Sequence, residues 1–525
     1  MSKSLFRNIF ALLTLVLMAA TGCENEPVNG GINGDDTGNG SSQEPGFQRY
    51  RMGILYDNTA KVYKSTYQVF LPENYEQDLE TRYPVVYMLH GYGDSGKDWD
   101  KWLTTIKSLE KNGLQPMIYV FPDCNNSYYC NYYDQKAMYM DLVIDNLIPL
   151  IDSTYRTIPD RDHRATLGYS MGGFGAMVLP LKNPDVFGYS VPLSMSFRTD
   201  EQYMAESQSG WNNQWGKIFG GEGKSGEGRL TDYYKAHCPF YQFTSENKET
   251  LSQVKWFFSC GDDEEQLLIA NDNLHVQLRD NGYDHEFRIG DGAHTGSYWR
   301  SAAAEALPWI QHHMNGGGEW TKQMSSYEVK TSTLNEDGAF ASNKYNELTE
   351  KSGLAIYFAH KGMNAEQVSK CIGMMSQSGG LFSYMVLPCD LNVKSLNEWM
   401  SYYNTKYGIG GTTELSHVVA IGDTGREAYA AHDSFNRLYF IDADIAEDES
   451  TIVANPKKSY FIYQTDDAVN YKDMNALYRA CKFAPKGDGT FTEADFEYRM
   501  LNGSGNDEER LFRAISTLVG NLKYK

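Results

Sequence analysis

Gly168-Tyr169-Ser170-Met171-Gly172 is the segment of this 525-residue sequence whose residue types and spacing carry chemistry most directly. It follows the short apolar patch Ala165-Thr166-Leu167 and precedes Gly173-Phe-Gly-Ala-Met-Val-Leu179, which can open a helix. A serine on so tight a strand-to-helix turn presents its hydroxyl at a sheet edge, and the flanking glycines let neighbouring backbone approach without a Cβ clash. The amide of Met171, at the helix N-terminus, can stabilise an oxyanion. Such a pentapeptide is common by chance; its strand–turn–helix context makes Ser170 a candidate nucleophile.

A serine hydroxyl needs a base. His294 lies in Asp291-Gly-Ala-His294-Thr-Gly-Ser-Tyr-Trp299, between a strand-like segment, 286–289, and an apolar helical stretch, 302–310. That leaves it in the loop after the last strand, within reach of Ser170. His90 ends an apolar run and is expected to support the oxyanion loop rather than act as base. The base in turn needs an orienting carboxylate. The strand-like run 256–260 ends in Gly261-Asp262-Asp263-Glu264-Glu265, and nucleophile, then acid, then histidine is the chain order of the α/β-hydrolases. Four consecutive carboxylates leave the identity of the acid open at this point.

The elements around these residues read as α/β. Tyr67–Leu71 alternates and meets Pro72, as a strand at one side of a sheet does. Val85–Leu89 and Met117–Phe121 are solid apolar runs, the pattern of parallel strands buried on both faces. Residues 137–152 have helical periodicity. Strands alternating with helices predict a mostly parallel, doubly wound sheet.

Residues 49–315 resemble the esterase family of α/β-hydrolases that includes feruloyl esterases, acetyl-xylan esterases (carbohydrate esterase family 1) and S-formylglutathione hydrolases. The matching pieces are Leu89-His-Gly-Tyr-Gly93, Gly168-Tyr-Ser-Met-Gly-Gly173, Cys260-Gly261 with its acidic run, and Gly292-Ala-His294. The resemblance implies an α/β-hydrolase fold and a Ser–His–acid triad with no metal or organic cofactor. It places the acid three residues after Gly261, at Glu264, where the family usually carries Asp; counting back from Asn271 gives Glu265 instead, and Asp263 remains a third choice. It also implies an oxyanion hole of the Met171 amide and the Gly91–Tyr92 region. Many relatives carry Trp two residues after the histidine; here that position is Gly296.

Residues 1–22 read as a leader. Lys3 and Arg7 precede an apolar run, Ile9–Ala20, too short for a comfortable membrane span. Ala20-Thr21-Gly22-Cys23 resembles a bacterial lipobox and makes Cys23 the expected lipidation site, with an exported chain anchored to the bacterial outer membrane. Residues 23–47, rich in Gly, Asn, Asp and Ser, read as a flexible tether. Cys124 and Cys130 are close enough in sequence to pair; Cys260 and Cys389 end apolar runs and read as buried thiols. No cysteines and histidines show metal-ligand spacing. With 68 acidic against 47 basic residues, a net charge of −21 argues against nucleic acid as partner.

The catalytic domain is expected over 48–315, a linker over 316–324 and a second, degenerate hydrolase-like α/β domain over 325–525. Segments 354–360, 382–389, 459–467 and 497–500 resemble 85–90, 117–124, 255–263 and 286–289 in the same order, which suggests an internal repeat. Thr424 falls at the elbow-like position with Arg426 after it, and no histidine stands where His294 would recur, so this half is expected to be non-catalytic. Asp466 and Asp467 persist there as carboxylates with nothing to orient.

The chain has 38 Tyr and 9 Trp. Trp99, Trp102, Tyr128, Tyr129, Trp211 and Trp215 lie in expected loops after strands, where they could stack on sugar or feruloyl rings; Trp399, Tyr402 and Tyr403 could do so in the second half. The expected activity is hydrolysis of feruloyl or acetyl esters on plant polysaccharide such as xylan. The alternatives are a non-catalytic surface glycan-binding lipoprotein and an acyltransferase of the same fold.

Overall fold

The computed structural model describes residues 50–55, 65–94, 100–317, 334–342, 353–376, 383–409, 413–445, 451–455, 458–465, 471–482, 496–503, 505–519 and 522. The leader, Cys23, the tether, Trp99, most of the 316–324 linker, Asp466 and Asp467 lie outside them.

Among the described residues, fifteen strands form one sheet. The first half supplies β1 (Tyr50–Leu55), β2 (Ser65–Phe70), β3 (Val85–Leu89), β4 (Ile118–Pro122), β5 (Arg164–Tyr169), β6 (Tyr189–Leu193), β7 (Lys255–Gly261) and β8 (His285–Gly290). The second half supplies β9 (Phe340–Ala341), β10 (Leu354–His360), β11 (Tyr384–Asp390), β12 (Ser416–Ile421), β13 (Arg437–Ile441), β14 (Ser459–Thr465) and β15 (Phe496–Leu501). Their order across the sheet is β1-β2-β4-β3-β5-β6-β7-β8-β15-β14-β13-β12-β10-β11-β9. Pairing is parallel from β4 through β3 to β8 and from β11 through β10 to β15. It is antiparallel at β1–β2, β2–β4, β9–β11 and the β8–β15 seam.

Read from each outer end toward the seam, β2-β4-β3-β5-β6-β7-β8 and β9-β11-β10-β12-β13-β14-β15 are the same order. The repeat suggested by four short sequence matches is therefore also a repeat of topology. Strands β3, β4, β5 and β6 are buried on both faces, as their unbroken apolar runs require, whereas β2 alternates buried and half-buried positions.

Four helices position the chemistry: α1 (Met171–Lys182), α2 (Glu265–Asp280), α3 (Gly296–Met314) and α4 (Tyr471–Lys482). On one face a single apolar core runs under both halves, joining residues of α1, α2 and α4. On the other, α3 and the helix Asp100–Lys111 cover the first half, while helices Ala365–Met375 and Asp507–Val519 cover the second. The stretch with helical periodicity over 137–152 is helical from Tyr139 to Thr154, with a wider-turned segment, Leu142–Leu147, between Tyr139–Asp141 and Ile148–Thr154.

Two expectations are corrected by burial. Cys124 and Cys130 are separate buried thiols, not a disulfide. Tyr128 and Tyr129, both with positive φ, wind the chain between them so that each sulfur enters the core on its own. The proposed stacking residues Trp102, Tyr128, Tyr129, Trp211 and Trp215 are all buried, and they pack on one another or on core rings, as Tyr128 does on Trp215 at 4.1 Å. In the second half Tyr403 is likewise buried, and the half-buried Trp399 stacks on it and donates its indole N–H to the Asp390 carbonyl.

Candidate active site

Strand β5 delivers the chain to Ser170 at φ 56°, ψ −118°, and α1 starts at the next residue. A non-glycine residue there carries about 1–3 kcal/mol of backbone strain. The surroundings hold it: the Ser170 N–H donates to Leu193 O at 3.0 Å, and the Ser170 carbonyl accepts from Ser196 N–H at 3.0 Å. The turn fits only because its flanks are glycine. A Cβ on Gly172 would stand 2.0 Å from the Leu89 carbonyl oxygen, and one on Gly168 2.2 Å from that of Gly172.

His294 lies in the loop between β8 and α3. Its Nε2 is 2.9 Å from Ser170 Oγ and its Nδ1 is 2.6 Å from Glu264 Oε2. An ionised carboxylate only accepts, so Nδ1 carries the proton and the Nε2 lone pair faces the serine hydroxyl. The Glu264 side chain is fully buried, while 38% of the imidazole is exposed. The other carboxylate oxygen, Oε1, accepts from the Ser194 hydroxyl and, at 2.9 Å, from Gly261 N–H. Of the three candidate acids, Glu264 is the one on the imidazole. Asp263 is half-buried, with its N–H on Gly292 O at 3.1 Å, and Glu265 opens α2.

Facing Ser170, the loop after β3 brings Gly91 close: a Cβ there would lie 3.5 Å from Ser170 Cβ and 2.9 Å from the Tyr169 ring. His90 pins this loop from beneath. Its Nε2 accepts from Cys124 N–H at 3.1 Å, which leaves Nδ1–H to donate to Gly91 O at 2.9 Å. Fully buried and so engaged, it supports the loop, as expected, and does not reach the serine as a base. The Met171 N–H, first in α1, has no helical acceptor one turn back and is one of the free donors of a helix start. Met171 N–H thus follows Ser170 directly, and Gly91 faces its Cβ.

Two contributors had not been singled out in the sequence. Ser194, just after β6 and at φ 47°, bridges Glu264 and the Trp299 indole N–H, the latter at 2.8 Å. Trp299 stands edge-on to His294 at 4.8 Å and stacks on Tyr169 at 4.4 Å. It supplies an aromatic neighbour to the histidine from the first turns of α3, although the position two residues after His294 is Gly296.

The strand register places the second half's elbow at Gly422, not at Thr424 as expected. Leu89 pairs with Gly168 in β3–β5 as Ala359 pairs with Ala420 in β10–β12. Two residues on, Ser170 and Gly422 share φ 56°. The Ser196 N–H bond to Ser170 O recurs as Asp444 N–H to Gly422 O at 2.9 Å. Thr424 is buried, with its hydroxyl on backbone groups of Ile421 and Ala359. Leu501 matches Gly290, so counting on from this strand end puts Gly505 at the position of His294. Glycine at both positions offers neither nucleophile nor base.

Residues 63–310 match the family model described as "Putative esterase". The chain is 29% identical over 166 residues to an endo-1,4-beta-xylanase/feruloyl esterase of Xylanibacter ruminicola, a match covering 28% of this chain and 23% of that protein. It is 34% identical over 114 residues to an esterase of Mycobacterium tuberculosis, covering 21% of this chain and 24% of that one. An acetyl esterase of Caldicellulosiruptor saccharolyticus is 23% identical over 246 residues, 45% of this chain and 87% of that protein. The chain thus spans about a quarter of the length of the first two relatives. A solved ferulic acid esterase matches 50% of this chain and 98% of its own at 27% identity, with a TM-score of 0.42.

Proposed function

We propose that this chain, whose residues 63–310 belong to the esterase family, is a serine carboxylesterase that removes feruloyl or acetyl groups from plant polysaccharide such as xylan. The observation that carries the reading is the continuous chain Ser170 Oγ, His294 Nε2, His294 Nδ1, Glu264 Oε2, with separations of 2.9 and 2.6 Å.

The steps follow from that chain. His294 Nε2 takes the Ser170 proton as Oγ attacks the ester carbonyl, and Glu264 holds the imidazole in the required tautomer and stabilises its positive charge. The carbonyl oxygen, now an anion, accepts hydrogen bonds from Met171 N–H and the Gly91–Tyr92 amides. His294 protonates the departing sugar alcohol. Water, deprotonated by the same imidazole, then cleaves the acyl-enzyme and returns the proton to Ser170. Each of these groups belongs to the segment 48–315.

Polysaccharide as substrate is supported by the name of the Xylanibacter relative, and an acetyl group as the acyl part by that of the Caldicellulosiruptor relative. The reading also takes the chain to be exported and lipid-anchored through Cys23 at a bacterial outer membrane, on the sequence of residues 1–47. Tyr92, in the loop after β3 next to Gly91 and 43% exposed, is a side chain placed to meet an acyl or sugar ring. The test is labelling by a fluorophosphonate: wild type should be labelled and Ser170→Ala should not. An unlabelled wild type would contradict the reading.

A further inference from the structure

Resting on the esterase reading, we propose that Arg499, contributed by the second half, is a positioning residue that holds the Glu264 loop and the His294 loop in register. Arg499 lies on β15, next to the seam residue Met500, and is nearly fully buried. One nitrogen, Nη1, pairs with Asp262 Oδ2, two residues before Glu264. The other, Nη2, is 3.3 Å from Asp291 Oδ1, three residues before His294, and 3.3 Å from Glu497 Oε2. One planar guanidinium thus spans the two loops whose spacing sets the Glu264–His294 hydrogen bond.

The two arms are unequal. Asp291 is 84% exposed, so its pairing is screened by water. Asp262 is 4% exposed and is the centre of the junction. Its Oδ1 accepts from Gly292 N–H at 3.2 Å, in the histidine loop. Its Oδ2 accepts from Tyr498 N–H at 3.4 Å, and its carbonyl from the Tyr478 hydroxyl at 3.0 Å, both in the second half. Burial pushes the Asp262 carboxyl up to about 6, and the Arg499 charge opposes that rise. Without the guanidinium the buried carboxylate would lose its counter-charge directly beside the acid loop, and the loop would shift to relieve it. Two of the three clustered carboxylates, Asp262 and Asp291, are thereby held by a cation of the chain itself.

The repeat makes the device reciprocal in origin. Arg288 and Glu286 of β8 occupy the positions of Arg499 and Glu497 of β15 and form the same pair. The arginine from the second half braces a loop that carries chemistry, and that is the contribution this non-catalytic half makes to the reaction.

The experiment uses full-length wild type, Arg499→Lys and Arg499→Met, with p-nitrophenyl acetate kinetics, fluorophosphonate labelling rates and thermal melts. Arg499→Met should lose at least tenfold in kcat with KM within about twofold and label correspondingly slowly, and Arg499→Lys, whose one ammonium can pair with Asp262 but not span both loops, should fall between Arg499→Met and wild type. A folded Arg499→Met with wild-type kcat overturns the proposal. If Arg499→Met does not fold, Asp262→Asn tests the same pair from its other end: a fall in kcat at constant KM supports the proposal, and an unchanged kcat overturns it. A wild type that neither hydrolyses nor labels would instead overturn the esterase reading on which the proposal rests.

Discussion

Met500 of β15 pairs across the sheet seam with Ile289 of β8, and the two occupy the same position in the two halves of the chain. A contact between equivalent positions is the mark of a two-fold axis, here an approximate one inside a single chain. Each half thereby covers the other's open β8-type edge, and exposed edges are hazards for aggregation. The second half has kept the strand order and the elbow conformation but not the residues of chemistry.

That loss is testable at the elbow. Gly422→Ser, introduced into the Ser170→Ala protein, restores a serine at the equivalent backbone position and should restore no hydrolysis, because Gly505 stands where a histidine would be needed. Fluorophosphonate labelling of the new hydroxyl in that double variant would contradict this.

Glu264→Ala should lower kcat by about 10³-fold or more with little change in KM, since it removes the group that fixes the histidine tautomer. Asp263→Ala should stay within a few-fold of wild type. Steady-state kinetics on both variants checks the assignment, and a larger loss at Asp263 would reverse it.

Ser194→Ala removes one of the donors to Glu264 Oε1 and the acceptor of the Trp299 indole N–H. A lost hydrogen bond to a buried carboxylate is worth about 1.5–3 kcal/mol, so kcat should fall about ten- to hundredfold while the protein stays folded. An unaltered kcat would show that Gly261 N–H and His294 alone hold the carboxylate.

Asp272, on α2 at the contact with α4, is buried and its carboxyl is pushed up to about 7, against Arg479 3.9 Å away. A carboxyl whose folded value lies above its unfolded value holds its proton longer in the native state, so its contribution to stability falls as pH rises from about 4 to about 7. Asp272→Asn removes that cost. Its melting temperature should exceed wild type's at pH 8 and match it near pH 4, the stability gain at pH 8 being on the order of a few kcal/mol. The buried His275 and His285 titrate in the opposite sense but are common to both proteins. An equal offset at both pH values would contradict the assignment.

Strands β3, β4 and β5 and the serine elbow were legible because their signals are local: apolar runs buried on both faces, and glycines where backbone crosses at about 2 Å from a hypothetical Cβ. The choice among Asp263, Glu264 and Glu265 was not legible. It depends on how the loop turns against Gly292, whose carbonyl takes the Asp263 N–H and would stand 2.0 Å from a Cβ on Gly261. Ser194 and Trp299 reach the site from distant segments and carry no sequence motif. The aromatic residues misled because a tryptophan in a core and one in a sugar cleft are the same letter; only burial separates them. The elbow of the second half was misplaced by two residues because short matches between strands do not fix register, whereas pairing to β10 does.

The central claim is ester hydrolysis through Ser170. Release of ferulate from methyl ferulate and of acetate from acetylated xylan, measured side by side for wild type and Ser170→Ala, tests it most directly. The account predicts release of at least one product by wild type and none above background by a folded Ser170→Ala. Release that persists in Ser170→Ala, or no release of either product by wild type, would contradict it.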